Sequence, residues 1–347
     1  MFVLLDDEET VSRNDAWGML GQISALPDQL EFSLSKSIDI TPGNFSNICI
    51  CGLGGSAMSG DIIRNYLDEN SSYPTIVVRD THLPKWVNEK SFALILSYSG
   101  NTTETLRMYH EAKSQGAKIV CVTSGGKLKE LCLEDHEQYI EIPDGLQPRA
   151  ALGYILGASA VVLKSAHLCN IADDLKRIIP NLKSECARYL PNISLEDNLA
   201  KKIASGLENT LPAVYGGIGI APAVKRWRTQ INENSKMLTI CGILPELNHN
   251  QIVGWIESPS APATPVFLRS VNDRPEIVKI IDATVSLFID SGIEPILVNL
   301  EGDSQLECIM QGIILGDFVS YYLAALRNVD PTEIAPISRL KERMTDI

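Results

Sequence analysis

A chain of 347 residues, 45% hydrophobic and 21% charged, is long enough for two domains of about 150 residues each and too apolar to be mainly disordered. Its 30 Lys and Arg against 43 Asp and Glu leave a formal charge of -13, which opposes nucleic-acid phosphates and anionic lipid, so any bound anion must meet a local site. Apolar runs such as Phe92–Leu96 and Ile313–Leu315 fall far short of the roughly 20 residues of a membrane span, and the acidic N-terminus lacks a signal-peptide charge pattern. A cytoplasmic protein with no nucleic-acid or membrane partner is expected.

In chain order, short apolar runs alternate with helical patterns: Ile48–Gly52 then Met58–Leu67, Phe92–Leu96 then Thr103–Ser114, Lys118–Val122 then Leu128–Cys132. This alternation predicts an α/β fold with a parallel sheet covered by helices on both faces. A long helical stretch from Ala150 to Ile179 is expected to break at Pro180, and the polar segment from there to Asp197, with Pro191 inside it, suits a domain crossover. The pattern then restarts: strand Leu211–Tyr215, helix Ile220–Lys236, strand Pro265–Leu268, helix Pro275–Asp290, strand Pro295–Leu300, helix Leu306–Leu326. Two doubly wound halves follow, 1–180 and 181–347. The segments "ICICGLGGSAMSGDII" and "PAVYGGIGIAPAVKRW" both run from an apolar strand through a glycine turn into a helix, either as an internal repeat or because βα units resemble one another.

The eight cysteines lie mostly in apolar segments of a chain too large to need disulfides, and are expected to be reduced and mostly buried. Cys49 and Cys51 are the only close pair. No further Cys or His cluster completes a tetrahedral set, and the five histidines lack metal-ligand spacing, so no metal centre and no cofactor are read from them.

In "CGLGGSAMSGD" the glycines Gly52, Gly54 and Gly55 stand between a strand and a helix start, where backbone N–H groups and the helix dipole can face an anion. Ser56 is expected at or near the N-cap; a plain glycine turn with a serine cap is the competing reading. In "SYSGNTTET" the hydroxyls of Ser97, Ser99, Thr102 and Thr103 crowd around Gly100 ahead of a helix. A cap needs one hydroxyl. Four of them form a cradle able to hold a phosphate without a cationic side chain. If the two preceding strands are neighbours, Ser56 and the cradle share one sheet edge.

"GLGGSAMSGD" followed one strand-helix unit later by "SYSGNTTETL" resembles the sugar isomerase (SIS) domain, which binds phosphorylated sugars through a Ser/Thr-rich loop. The restart resembles the tandem SIS pair of phosphoglucose isomerases. "RWRTQINENSK" and "ELNHNQIVGW" resemble the bifunctional phosphoglucose/phosphomannose isomerases. The resemblance implies metal-free interconversion of glucose and mannose 6-phosphates with fructose 6-phosphate through a cis-enediolate. It assigns phosphate binding to Gly55, Ser56, Ser97, Ser99 and Thr102.

The same resemblance makes Glu233 the base, although its place opposite the stripe Ile220, Val224, Trp227 and Ile231 reads equally as an exposed glutamate. His249, in a polar turn, is implied in ring opening by proton exchange, a role that suits an imidazole; a surface loop histidine is the alternative. Arg149 would face the enediolate oxygens, and as a first-turn arginine it is otherwise unfavourable beside the helix dipole. Lys341 matches a lysine near the sugar oxygens, or belongs to a solvated basic tail with Arg339 and Arg343. A homodimer with His249 reaching the partner's site is implied by analogy. An amino-sugar phosphate isomerase and a non-catalytic sugar-phosphate-sensing module are the rival readings.

Overall fold

In the computed structural model residues 5–258 and 262–345 are described. Three short helices open the chain: α1 (Glu8–Ser12), α2 (Met19–Ser24) and α3 (Leu26–Leu34). Then come β1 (Asn47–Cys51), α4 (Gly54–Asn70), β2 (Thr75–Val78), β3 (Ser91–Leu96), α5 (Thr103–Ser114), β4 (Lys118–Thr123), α6 (Gly126–Asp135), β5 (Gln138–Glu141), α7 (Leu152–Ser165) and α8 (Ile171–Arg188). After α9 (Leu199–Leu207) follow β6 (Leu211–Gly217), α10 (Ala221–Ser235), β7 (Ile240–Leu244), α11 (Gln251–Glu257), β8 (Ala263–Ser270), α12 (Pro275–Asp290), β9 (Ile296–Leu300), α13 (Gln305–Leu326) and α14 (Ala335–Thr345). The chain divides into two compact units: residues 24–184, and the segment up to Ile23 together with Glu185 onward.

In the unit of residues 24–184 the strand order is β2-β1-β3-β4-β5, every pair parallel. β3 is buried along its whole length, as a central strand covered on both faces must be. One face packs Cys49, Cys51, Ala93 and Ile95 against Met108, Tyr109 and Leu128 from α5 and α6. All eight cysteines are free thiols, six of them buried, and burial raises the Cys49 thiol to about 12, so it stays protonated.

The other unit has the order β7-β6-β8-β9, again wholly parallel, with an aromatic core of Tyr215, Trp255, Phe267 and Phe288. Both sheets wind alike. The first strand of each lies inside, its successor pairs on one side, and the third pairs on the other. The N-terminal segment is fastened to this unit by the buried Lys201, whose Nζ donates to Asp6 Oδ1 at 3.1 Å, and by Tyr321 Oη, which donates to the Val11 carbonyl at 3.3 Å.

Two expectations need correction. The helical stretch from Ala150 breaks at 166–170, not at Pro180, which lies inside α8. Leu175, Ile178, Ile179 and Leu182 are buried on both sides of the proline, so packing outweighs the lost backbone hydrogen bond. The reading of apolar runs as too short for a membrane span overlooked α13. Its 22 residues meet that test by length and composition, but 83% of the apolar window is buried. Residue Arg226 on α10 explains the fit: it grips Asp317 of α13 with two hydrogen bonds of 2.9 and 2.8 Å, both side chains buried.

Candidate active site

β1 and β3 are paired with Cys51 beside Ile95, and their connections leave in opposite directions, so their carboxyl ends open a crevice at a topological switch point. Gly52 permits the close approach, since a Cβ there would meet the Leu96 carbonyl oxygen at 2.9 Å. Ser56 lies near the N-cap, as expected, though it is not the cap itself. The N-cap is Leu53, and because α4 begins at once with Gly54 the Ser56 side chain lies in the first turn, buried, where its Oγ accepts from the Tyr98 N–H at 3.1 Å. The glycine loop and the hydroxyl loop therefore meet directly.

Within the hydroxyl loop Ser97 is buried and its Oγ lies 3.4 Å from Thr102 Oγ1, while the exposed Ser99 accepts at Oγ from the Asn101 N–H at 3.3 Å. Thr102 is the N-cap of α5 but makes no side-chain capping bond, and neither does Leu53 for α4. Two helix starts without side-chain caps, and a row of hydroxyls, thus face one crevice and can hold an anion. Gly100 has a φ of +67°, and a Cβ there would lie 1.8 Å from the Gly125 carbonyl oxygen, so only glycine fits.

The sequence reading missed Tyr98, which holds the loop in place. Besides donating to Ser56, it accepts at its carbonyl from Ser124 Oγ at 2.6 Å and at its phenol oxygen from the Leu146 N–H at 3.0 Å. Burial raises its phenol, which stays neutral. An aromatic side chain in the middle of a hydroxyl-rich turn is the available signal. Gln29 was missed too: buried, it donates from Nε2 to the Ala150 carbonyl at 2.9 Å and accepts at Oε1 from the Gly153 N–H at 3.1 Å.

Those bonds brace the 3-10 turn Pro148–Ala151 that carries the buried Arg149. Gly55 stands against the same turn: a Cβ there would come within 2.8 Å of Pro148 O and Arg149 N. Gly55, Ser56, Ser97, Ser99 and Thr102 are gathered at this edge of the sheet, with the Arg149 backbone against Gly55.

Glu233 and His249 stand on separate elements of the other unit. Glu233 lies half-buried near the end of α10, its carbonyl accepting from Lys236 Nζ at 2.8 Å. Its neighbours are anchored to α13: Asn234 Nδ2 donates to Ser320 Oγ at 2.9 Å and Ser235 Oγ to the Ser320 carbonyl at 2.7 Å. Trp227 Nε1 donates to the Gly312 carbonyl at 2.7 Å, and Gly316 leaves the space its ring fills. His249 is exposed at the end of a 3-10 turn, beside Asn248, whose Nδ2 donates to Thr284 Oγ1 at 2.7 Å. The Lys341 side chain lies outside the described residues. Among the described residues no group of three His, Cys, Asp or Glu could hold a metal ion.

Residues 44–142 match the SIS domain, and residues 196–344 match the bacterial phospho-glucose isomerase C-terminal SIS domain. Two parallel sheets of the same winding, one opening a hydroxyl-lined crevice, thus define a tandem SIS-domain protein. A bifunctional phosphoglucose/phosphomannose isomerase from Caldicellulosiruptor bescii is 37% identical over 340 residues, spanning 95% of this chain and 99% of that one. One of the same name from Aquifex aeolicus is 36% identical, spanning 88% and 92%. The chain belongs to the bifunctional phosphoglucose/phosphomannose isomerase family. Its fold also resembles a hypothetical protein from Thermus thermophilus, with a TM-score of 0.74 at 13% identity over 98% of this chain and 93% of that one.

Proposed function

We propose that this protein is an aldose-ketose isomerase that interconverts glucose 6-phosphate and mannose 6-phosphate with fructose 6-phosphate, without a metal, by proton transfer through a cis-enediolate. The observation that carries the reading is the hydroxyl cradle at the β1/β3 switch point, in a chain of this family. Gly55, Ser56, Ser97, Ser99 and Thr102 bind the 6-phosphate. Arg149 stabilises negative charge on the enediolate oxygens, and Glu233 moves the proton between C1 and C2. His249 opens the ring by proton exchange, and Lys341 stands by the sugar oxygens. The two aldoses differ only at C2, and both give the same planar enediolate, so one base serves both when the bound intermediate rotates about C2–C3 to present either face. In this reading the N-terminal SIS domain, 1–180, supplies the phosphate loops and the C-terminal one, 181–347, the base and the histidine. The enzyme serves glycolysis and gluconeogenesis in the cytoplasm.

Coupled assays with fructose, mannose and glucosamine 6-phosphates in EDTA test the proposal. Turnover of the first two is expected; turnover of the glucosamine ester alone would reject it. Ser97→Ala, Ser99→Ala and Thr102→Ala should each raise KM by the equivalent of about 0.5–1.5 kcal/mol with little change in kcat, and an unchanged KM in all three would remove the cradle from substrate binding.

The protein works as a homodimer in which His249 serves the partner's site. An isologous two-fold interface presents the same turn to each opposite pocket and so makes two equivalent sites. Mixed Glu233→Gln and His249→Ala subunits, each inactive alone, should regain activity after exchange, because one pocket of each mixed dimer carries neither change. No recovery under conditions of demonstrated exchange would place both residues in one chain's site.

A further inference from the structure

The second unit repeats the crevice of the first with different contents. A Cβ on Gly52 would stand 2.9 Å from the Leu96 carbonyl oxygen, and one on Gly216 would stand 3.2 Å from that of Leu268. Each glycine lies at the end of the inner strand and each leucine on its neighbour, so Gly52 corresponds to Gly216 and Leu96 to Leu268. The following helices start equally far on, at Thr103 and Pro275. The six residues Ser97 to Thr102 therefore match Arg269 to Arg274, and Tyr98 matches Ser270.

The correspondence extends to a hydrogen bond. The Tyr98 N–H donates to Ser56 Oγ at 3.1 Å; the Ser270 N–H donates to Asp273 Oδ2, also at 3.1 Å. Ile220 holds the place of Ser56 and has no hydroxyl to offer. The other carboxylate oxygen, Asp273 Oδ1, is buried and lies 3.2 and 3.1 Å from where Cβ atoms on Gly217 and Gly219 would stand. A negative oxygen thus rests against the glycine turn ahead of α10, where fixed N–H dipoles favour an anion.

We infer that the Asp273 carboxylate is a built-in anion that, with Ile277 Cγ2 at 2.5 Å from the Gly217 Cβ position and Gln305 Nε2 at 2.7 Å from that of Gly219, fills the second crevice, so that this half of the chain is a phosphate cradle closed by its own side chains. The inference rests on the reading of the first crevice as a phosphate site. Its ligand class once vacated is a tetrahedral oxyanion, and in the native chain the carboxylate occupies the space permanently.

Equilibrium dialysis against radiolabelled inorganic phosphate counts the anions held per chain. Asp273→Gly and Asp273→Ser should each bind one phosphate more than the unaltered protein, and Asp273→Asn, which keeps the volume filled, should bind no more. Equal counts in the folded Gly and Ser variants and the unaltered protein would overturn the inference. So would phosphate-dependent protection of the 269–274 amides from hydrogen exchange in the unaltered protein, a measurement that needs no variant to fold. One phosphate in Asp273→Gly and none in the unaltered protein would instead reject the phosphate reading of the first crevice and keep this one.

Discussion

Glu233→Gln should lower kcat by roughly 10²- to 10⁴-fold in both the glucose and the mannose reactions, with KM little changed. The amide keeps the shape of the side chain but cannot accept the C2 proton. Uniform loss with both aldoses is the informative part, because a single base acting before a shared enediolate must affect both alike. The direct readout is exchange of solvent deuterium into C2 of glucose 6-phosphate. Exchange within about twofold of the unaltered enzyme, at a level far above the uncatalysed background, would remove Glu233 from the mechanism.

Asp317→Ala should cost about 3–5 kcal/mol of folding stability, read as a lowered urea midpoint, because the buried Arg226 charge would lose the carboxylate that grips it with two hydrogen bonds. Replacing both partners by apolar residues of similar volume, Arg226→Met with Asp317→Leu, should recover most of the loss, since the pair's attraction is largely offset by its desolvation. A single-variant loss below about 1 kcal/mol would show that water reaches the guanidinium in the folded state. The same ion pair holds α10 against α13, and α10 carries Glu233, so the single variant should also lower kcat under conditions where it remains folded.

What was legible in the sequence followed from apolar residues that run continuously or recur at a regular spacing. The helix Pro275–Asp290 was read with its observed bounds, because a proline at its start and a regular apolar stripe define it. The central strands β1, β3 and β4 were equally plain, being continuous apolar runs. Three of the four edge strands were not: β2 and β5 are four residues each and only partly buried, and β7 exposes Ile240, so none stands out from its surroundings, whereas the edge strand β9 was read to within one residue. The opening helices α1 to α3 are short and were passed over for the same reason.

The cradle was legible because four hydroxyls exceed what a helix cap needs. Glu233 was not, without the family resemblance. Its helix buries Arg226, Gln230, Asn234 and Ser235 along with the apolar stripe, so polarity on that helix does not report exposure. The partners of Arg226, Asn234 and Ser235 lie some 85 to 91 positions further along the chain, beyond the reach of any local pattern. Asp273 is invisible for a related reason: Asn-Asp-Arg-Pro reads as an ordinary turn until the loop is laid beside its counterpart.

The composition of α13 bears on how the protein is made. As it leaves the ribosome this helix could be taken, by length and apolarity, for a bilayer segment. Asp317 lies near its middle, where a carboxylate raises the free energy of insertion by about 2.5–3.5 kcal/mol. The carboxylate that later meets Arg226 thus first penalises the wrong destination. Because α10 and its arginine have already been synthesised by then, the intended partner is present when the choice is made.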